Sequence, residues 1–268
     1  MPTTSLLRVK TGGSWVNPTT IWVKTGGVWT AVKKVWVKNG GIWSPVAPVA
    51  GSQTFTANGS FTVPTGVRTM YLTAIGGGGS AGNVVDGGRN DDYGGSGGGA
   101  SGQKVTDYPI TVTPGETITV TIGAAGSRAY GGRDSNNQGG TGGTTYIVAS
   151  GVTYYLLGGG GGYGGVGDAG RTFPGGTTST TNTSFSAVSV TNGQQAQPGV
   201  GGYGGAGITG PNQPGGSYGG GRDFHPELNA QYYGGGGAGG WSNYVREDNG
   251  NSPCWGGLGN SGYAYFSW

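Results

Sequence analysis

The chain holds a single histidine, His225, and a single cysteine, Cys254. A Ser-His-Asp arrangement would have to assemble around that one imidazole, and Pro226 beside it reads as a turn. With one histidine and one cysteine, the ligand sets of transition-metal sites are not available, and an intrachain disulfide is excluded. Adjacent carboxylates occur as Asp91-Asp92 and Glu247-Asp248. Glycoside hydrolysis needs two carboxyl groups facing each other across a sugar. Neighbours in polar, glycine-flanked segments read instead as solvated loop charges. Gly-x-Gly-x-x-Gly spacings arise here from composition alone and open no helix, so a dinucleotide site is not supported, and Gly-Lys-Ser/Thr is absent. Asn58-Gly59-Ser60 and Asn182-Thr183-Ser184 match glycosylation acceptors, as a Ser/Thr-rich chain would by chance. No enzyme, metal or cofactor is expected.

Binding chemistry is better represented, because bulky and charged residues gather between glycine runs. One such segment, 83–93, carries Arg89, Asn90, Asp91, Asp92 and Tyr93. A second, 127–138, carries Arg128, Tyr130, Arg133 and Asp134, and a third, 168–174, carries Arg171 and Phe173. The longest, 241–255, carries Trp241, Tyr244, Arg246 and Trp255. Rigid aromatics beside adaptable polar groups suit recognition of glycans or protein loops. A glycine scaffold would also admit large side chains nowhere else, so a purely structural reading of the same segments stands beside the functional one.

The elements that would position these segments are unusual. Glycine supplies 67 of 268 residues, in runs such as 76–79, 158–162 and 234–237. Glycine loses the most backbone freedom on folding and buries no side chain. The chain nevertheless carries 8 Trp, 15 Tyr and 6 Phe, which disordered linkers lack, and only 9% charged residues. Collagen is excluded, since glycine does not fall at every third position. No apolar stretch approaches the ~18 residues of a membrane-crossing helix. Residues 1–10 lack a basic segment followed by an apolar one, so no secretory signal is expected.

After the boundary near residues 47–51, apolar and small polar residues alternate as in strands. The strand-like runs are 54–67, 71–75, 103–113, 117–122, 144–149, 152–157, 185–191 and 263–268. Most feed directly into glycine. The chain leaves a strand on glycine, turns through a polar-aromatic tip and returns on glycine. If every run traverses the body, tips 83–93, 127–138, 168–174 and 241–255 share one end, with 208–214 beside them and 222–233 at the near end. Ordered glycine runs must still pair their buried N–H and C=O groups. An extended left-handed helix with three residues per turn makes no internal hydrogen bonds. Without Cβ atoms, several such helices can approach closely enough to bond laterally.

Residues 1–50 differ. They carry six basic residues and no acid, a net charge of +6, whereas 51–268 carry eight basic and eleven acidic residues, a net of −3. Val9-Lys10-Thr11-Gly12-Gly13-Ser14-Trp15 recurs as Val23 to Trp29 and as Val37 to Trp43, a period of fourteen residues, with Trp22 and Trp36 in the same step. Gly-Gly between β-branched and aromatic residues signals tight hairpins. A six-stranded meander is predicted. Fifty residues of this kind bury little by themselves, so the repeat docks on a partner or trimerises. Basic and aromatic residues together also suit single-stranded nucleic acid. The strict sheet period already accounts for the aromatics, and no nucleic-acid partner is expected.

The stretch Thr54-Phe55-Thr56, Phe61-Thr62-Val63-Pro64-Thr65-Gly66-Val67 and Ile75-Gly76-Gly77-Gly78-Gly79 resembles the opening of glycine-rich domains in bacteriophage tail fibre and tail-tip proteins. So do Tyr154 to Gly161, Tyr232 to Gly237 and the closing Gly262 to Trp268. The resemblance covers roughly residues 52–268, and the Val-Lys-x-Gly-Gly-x-Trp repeats also look like N-terminal segments of phage tail proteins. It implies a layered sandwich of polyglycine helices whose distal loops bind the host receptor, as in the glycine-rich adhesins of T-even-like phages. Those adhesins have a different attachment region, so the mode of attachment is not implied.

The expected fold is mainly β. A β-hairpin repeat over 1–50 precedes a β base over 51–268 that carries a bundle of left-handed, polyglycine II-like helices. The expected function is that of a virion tail fibre or tail-tip protein, made in the host cytoplasm. The repeat, with Trp15, Trp22, Trp29, Trp36 and Trp43, attaches to other virion proteins, and the tips bind a bacterial surface receptor, a glycan or an outer-membrane protein. No membrane insertion is expected. A baseplate or fibre connector without receptor binding is the alternative.

Overall fold

The computed structural model describes residues 9–11, 13–16, 22–31, 36–39, 41–45, 50–86, 94–129, 138–167, 173–190, 192, 195, 233–237, 241–242 and 256–268. Among the described residues the chain is mainly β, with no α-helix. Six short strands come first: β1 (Val9–Thr11), β2 (Ser14–Val16), β3 (Trp22–Thr25), β4 (Val28–Ala31), β5 (Trp36–Asn39) and β6 (Ile42–Pro45). They pair as three antiparallel hairpins of identical register. Between Thr25 and Val28, Gly26 and Gly27 have φ of 58° and 84°. Two left-handed residues in succession make the turn whose twist matches that of the strands it joins. Gly13 and Gly41, at φ 87° and 86°, hold the second turn position in the other two hairpins. Among the described residues the hairpins do not join into the expected six-stranded meander: each is a two-stranded sheet of its own. Alternation sets which side chains share a face but carries no information about which edges join.

Twelve further strands follow: β7 (Ser52–Phe55), β8 (Gly59–Thr62), β9 (Thr69–Ile75), β10 (Val84–Asp86), β11 (Gly94–Gly95), β12 (Lys104–Thr111), β13 (Thr117–Thr121), β14 (Thr145–Ala149), β15 (Val152–Leu156), β16 (Gly165–Gly167), β17 (Trp241–Ser242) and β18 (Tyr263–Ser267). Two antiparallel sheets, in the orders β12-β9-β18-β7 and β15-β14-β13-β8, share one core. Alternation sends Met70, Leu72, Ala74 and Phe266 inward from the first sheet, and Ile118, Val120 and Ile147 from the second, all at 0% exposure. Phe266 meets Phe61 at a ring separation of 5.1 Å and Phe55 edge-on at 6.1 Å. Full burial of a large apolar side chain stabilises by about 1.5–3 kcal/mol. Ser150 and Gly151, at φ 48° and 74°, close the β14–β15 hairpin, and the Ser150 hydroxyl donates to the Glu116 carboxylate at 2.8 Å.

Over 185–190 the chain differs from the strand expected at 185–191, whose last residue lies outside the described residues. Lys104 and Ser189 form one isolated bridge, and Phe185 turns into the core, edge-on to Tyr108 at 4.9 Å. The segment before it is held by Gln103, whose side-chain amide donates to the Ser179 and Thr181 carbonyls and accepts from the Leu157 N–H and the Asn182 amide.

The glycine runs leave the sandwich and bond to one another. From Gly76 to Gly82, every N–H donates to another part of the chain, three stretches taking them in turn, at 2.8–3.1 Å. Gly76, Gly79 and Gly82 donate to Gln103, Ala100 and Gly97; Gly77 and Ser80 donate to Gly143 and Gly140; Gly78 and Ala81 donate to Asn260 and Gly257. The target thus repeats every third residue. The same stretch accepts from Gly159 and Gly162, from Gly126 and from Gly237, so segments of six other stretches surround it. The glycines here leave no room for a side chain: a Cβ on Gly78 would fall on the Gly235 carbonyl, and one on Gly79 on the Gly160 carbonyl. Ser80 fits because its hydroxyl joins the lattice, donating to the Gly126 carbonyl at 2.6 Å and accepting from the Gly259 N–H at 3.1 Å.

These bonds also give each run a direction. Partners of 76–82 in 97–103, 140–143 and 257–260 fall as residue number rises, so those runs are antiparallel to it. Gly159 and Gly162 donate to Gly77 and Ser80, so that run is parallel to it. Runs 76–82 and 157–163 therefore lead away from the sandwich, as do 123–127 and 234–237, while 97–103, 139–143 and 257–262 lead back. The other end of the sandwich holds Gly51 and Trp268, which exchange both backbone hydrogen bonds at 3.0 Å.

Candidate functional site

The far end of the glycine bundle is where the polar-aromatic segments begin and end. Run 76–82 passes through the buried Asn83 into β10, and β11 leads into the returning run 97–103. Run 157–163 continues into β16 and resumes at Phe173, while β17 precedes the return at 256. These stems are tied together. β10 pairs in parallel with β16, Val85 opposite Val166, and β11 pairs antiparallel with β17, Gly95 opposite Trp241. Neither pairing was anticipated from the sequence, because strands of two or three residues carry no alternation to read. The fourth stem runs from Arg128 and the buried Ala129 out, and from Gln138 back.

Of the expected recognition residues, Arg128 and Phe173 lie within this frame, both half-buried. Phe173 is packed rather than displayed: its ring lies 2.7 Å from where a Cβ on Gly165 would stand, and its N–H donates to the Gly95 carbonyl at 3.3 Å. It closes the stem of one excursion onto that of another. Trp241 is placed by its backbone alone, in β17. Arg89, Asn90, Asp91, Asp92, Tyr93, Tyr130, Arg133, Asp134, Arg171, Tyr244, Arg246 and Trp255 lie outside the described residues, as do 208–214, 222–232, His225 and Cys254. Tyr233 is described and stands at the near end, at the start of run 234–237, as expected. Among the described residues no three His, Cys, Asp or Glu side chains come together as a metal site would require.

The hairpins form a second candidate surface. Trp22, Trp29 and Trp36 are 55%, 61% and 49% exposed. Cross-strand partners share a face, so Lys24 stands opposite Trp29, with its Nζ 5.8 Å from the ring centre. Lys10 pairs with Trp15 and Lys38 with Trp43 in the same backbone register; the side chains of Lys10, Trp15 and Trp43 lie outside the described residues.

A search of curated proteins finds no match to this sequence. A family model, described as a glycine-rich domain, matches residues 53–267, the stretch that forms the sandwich, the bundle and its stems. Over that span, which is most of its length, the chain belongs to the glycine-rich domain family.

Proposed function

We propose that the glycine runs are left-handed three-residue helices of the polyglycine II kind, with 76–82 at the centre of the bundle. The period of three in its hydrogen-bond targets supports this. In such a helix each N–H points a third of a turn from the last, so residues i, i+3 and i+6 address one neighbour. At about 3.1 Å per residue the central helix is roughly 20 Å long.

We infer further that the protein is a bacteriophage tail fibre or tail-tip protein, carried on the virion after synthesis in the host cytoplasm. It attaches to other virion proteins through the N-terminal repeat and binds a bacterial surface receptor, a glycan or an outer-membrane protein, through the segments between glycine runs. Polarity carries this reading. The chain enters the body at Gly51, at one end of the sandwich, and the stems of all four excursions gather at the opposite end of the bundle. Two-stranded hairpins are marginal alone. Exposed tryptophans on two of them, Trp22 and Trp29 on one and Trp36 on the next, suit burial against a partner or in a homotrimer.

The test is adsorption of the purified full chain to a panel of bacterial strains. Replacing 87–93, 130–137, 168–172 and 243–255 together with Gly-Ser segments of equal length is expected to abolish binding while thermal unfolding persists. Retained binding removes the receptor reading and leaves a connector. Changing Trp22, Trp29 and Trp36 to Ser is expected to leave cell binding intact and abolish co-purification with virions.

A further inference from the structure

The outward face of the β12-β9-β18-β7 sheet carries aromatic and polar side chains on the wall of the sandwich, away from the far end. Tyr263 and Tyr265 lie two apart on β18, so they share that face at a spacing of about 7 Å. The register sets Tyr265 opposite Thr73 of β9 and Thr54 of β7. Tyr233, 37% exposed, stacks on Tyr263 with ring centres 5.4 Å apart and planes 25° from parallel. Burial raises the Tyr263 phenol above its ordinary pKa; the Thr54 hydroxyl bond opposes this, and the Tyr265 and Tyr233 phenols add to the rise. The Tyr263 hydroxyl therefore stays protonated at neutral pH and able to donate.

At the edge of this face β12 bulges between Val105 and Tyr108, so Thr106 and Asp107 together oppose Thr73. Asp107 takes a φ of 48°, a left-handed backbone that is strained for a residue with a side chain. Thr73 holds it there. The Asp107 N–H donates to Thr73 Oγ1 at 3.0 Å, and the Thr73 hydroxyl donates to Asp107 Oδ1 at 3.4 Å. Bulges re-aim side chains beside binding sites. This one sets an exposed carboxylate on the tyrosine face, with acceptor capacity beyond the single bond from Thr73.

We propose that this face binds a neutral hexopyranose unit of a glycan. The C–H side of the sugar lies on the Tyr265 ring, whose face is electron-rich. A pair of adjacent sugar hydroxyls donates to the Asp107 carboxylate, and the phenol hydroxyls of the tyrosine cluster meet the remaining sugar oxygens. An acidic sugar would be repelled by Asp107. A quaternary ammonium would favour rings boxed around it, whereas Tyr233 and Tyr263 stack nearly parallel and leave the face flat. The site does not depend on the reading of the chain as a virion protein.

Saturation-transfer NMR on the full chain tests this, with the methyl glycosides of glucose, galactose, mannose and N-acetylglucosamine as probes and choline as the cationic comparison. At least one glycoside is expected to receive saturation at its ring C–H protons, with a dissociation constant on the order of 1 mM. Asp107→Asn and Tyr265→Ala are each expected to weaken it at least ~10-fold. Asparagine tolerates the left-handed backbone, so Asp107→Asn keeps the bulge and remains informative if Tyr265→Ala unfolds. Tyr146→Ala, on the outward face of the other sheet, should change nothing. The proposal is overturned if no glycoside receives saturation, if Asp107→Asn binds as well as the unaltered chain, or if choline is preferred.

Discussion

In the sandwich, Phe266 is enclosed by Phe55 and Phe61, with ring centres 6.1 and 5.1 Å away. In the bundle, the equally buried Gly78 is enclosed by backbone, with the Gly235 carbonyl standing where its Cβ would be. One region is ordered by side chains that fill space, the other by peptide groups that leave none. The difference inverts the usual rule for mutation. Large-to-small changes empty the first region, whereas small-to-large changes force open the second. The two meet at Thr145, whose hydroxyl donates to the Ile75 carbonyl at 2.9 Å and accepts from the Gly123 N–H at 3.0 Å.

The sharpest test of this contrast is Gly78→Ala, one methyl group added at the centre of the bundle. The new Cβ cannot occupy the Gly235 carbonyl position, so a neighbouring run must withdraw. Withdrawal breaks lattice bonds around Gly78, such as those to the Asn260 carbonyl and from the Gly126 N–H. Overpacking together with these losses is expected to destabilise by about 4 kcal/mol in urea unfolding. A change below about 1 kcal/mol would mean that the lattice yields to side chains as an ordinary loop does.

Leu72→Ala is the matching change in the sandwich. It empties a fully buried site between the sheets and is expected to cost about 3 kcal/mol. Because the runs start from the ends of these strands, amide exchange should quicken in both regions. Faster exchange in the sandwich alone would show that the bundle stands by itself.

Gln103→Leu follows, at about 2 kcal/mol. The volume is nearly kept, but the Ser179 and Thr181 carbonyls lose their donor, and the Leu157 N–H and the Asn182 amide lose their acceptor. Faster exchange at the Leu157 amide, with Leu72 and its neighbours still protected, would confirm that this side chain clamps segment 178–184 rather than supporting the core.

How far this division can be read in the sequence depends on the range of the interaction. Thr117–Thr121 and Thr145–Ala149 alternate cleanly, and their strands fall within a residue of expectation. Gly76-Gly77-Gly78-Gly79 after Ile75 marks where side chains stop. The Gly-Gly turns mark three hairpins, but nothing local says that they remain separate sheets. Phe185–Thr191 has strand composition, yet its fate is set by Gln103, some eighty residues away, which fixes 179–182 before it. Asp107 gave no signal, since a bulge depends on the register with Thr73 in another strand. The clustering of the stems likewise rests on pairs as distant as Gly95 and Trp241.

The smallest expected effect tests whether the bundle excludes side chains by position or by composition. Within run 123–127, Gly123 and Gly126 are buried, whereas Ala124, which faces out, is exposed. A Cβ on Gly126 would fall on the Gly140 carbonyl, while the Ala124 backbone carbonyl accepts the Gly143 N–H and its methyl points elsewhere. On the three-residue helix proposed for these runs, one face carries a side chain while the other two carry hydrogen bonds. Ala124→Leu is expected to change stability by no more than about 0.5 kcal/mol. Gly126→Ala, two residues on, should cost several times as much. Equal losses at the two positions would make glycine content itself the requirement. Unequal losses make the requirement geometric: the run is a three-sided rod, and its outward side is where larger residues could be built without disturbing the lattice behind it.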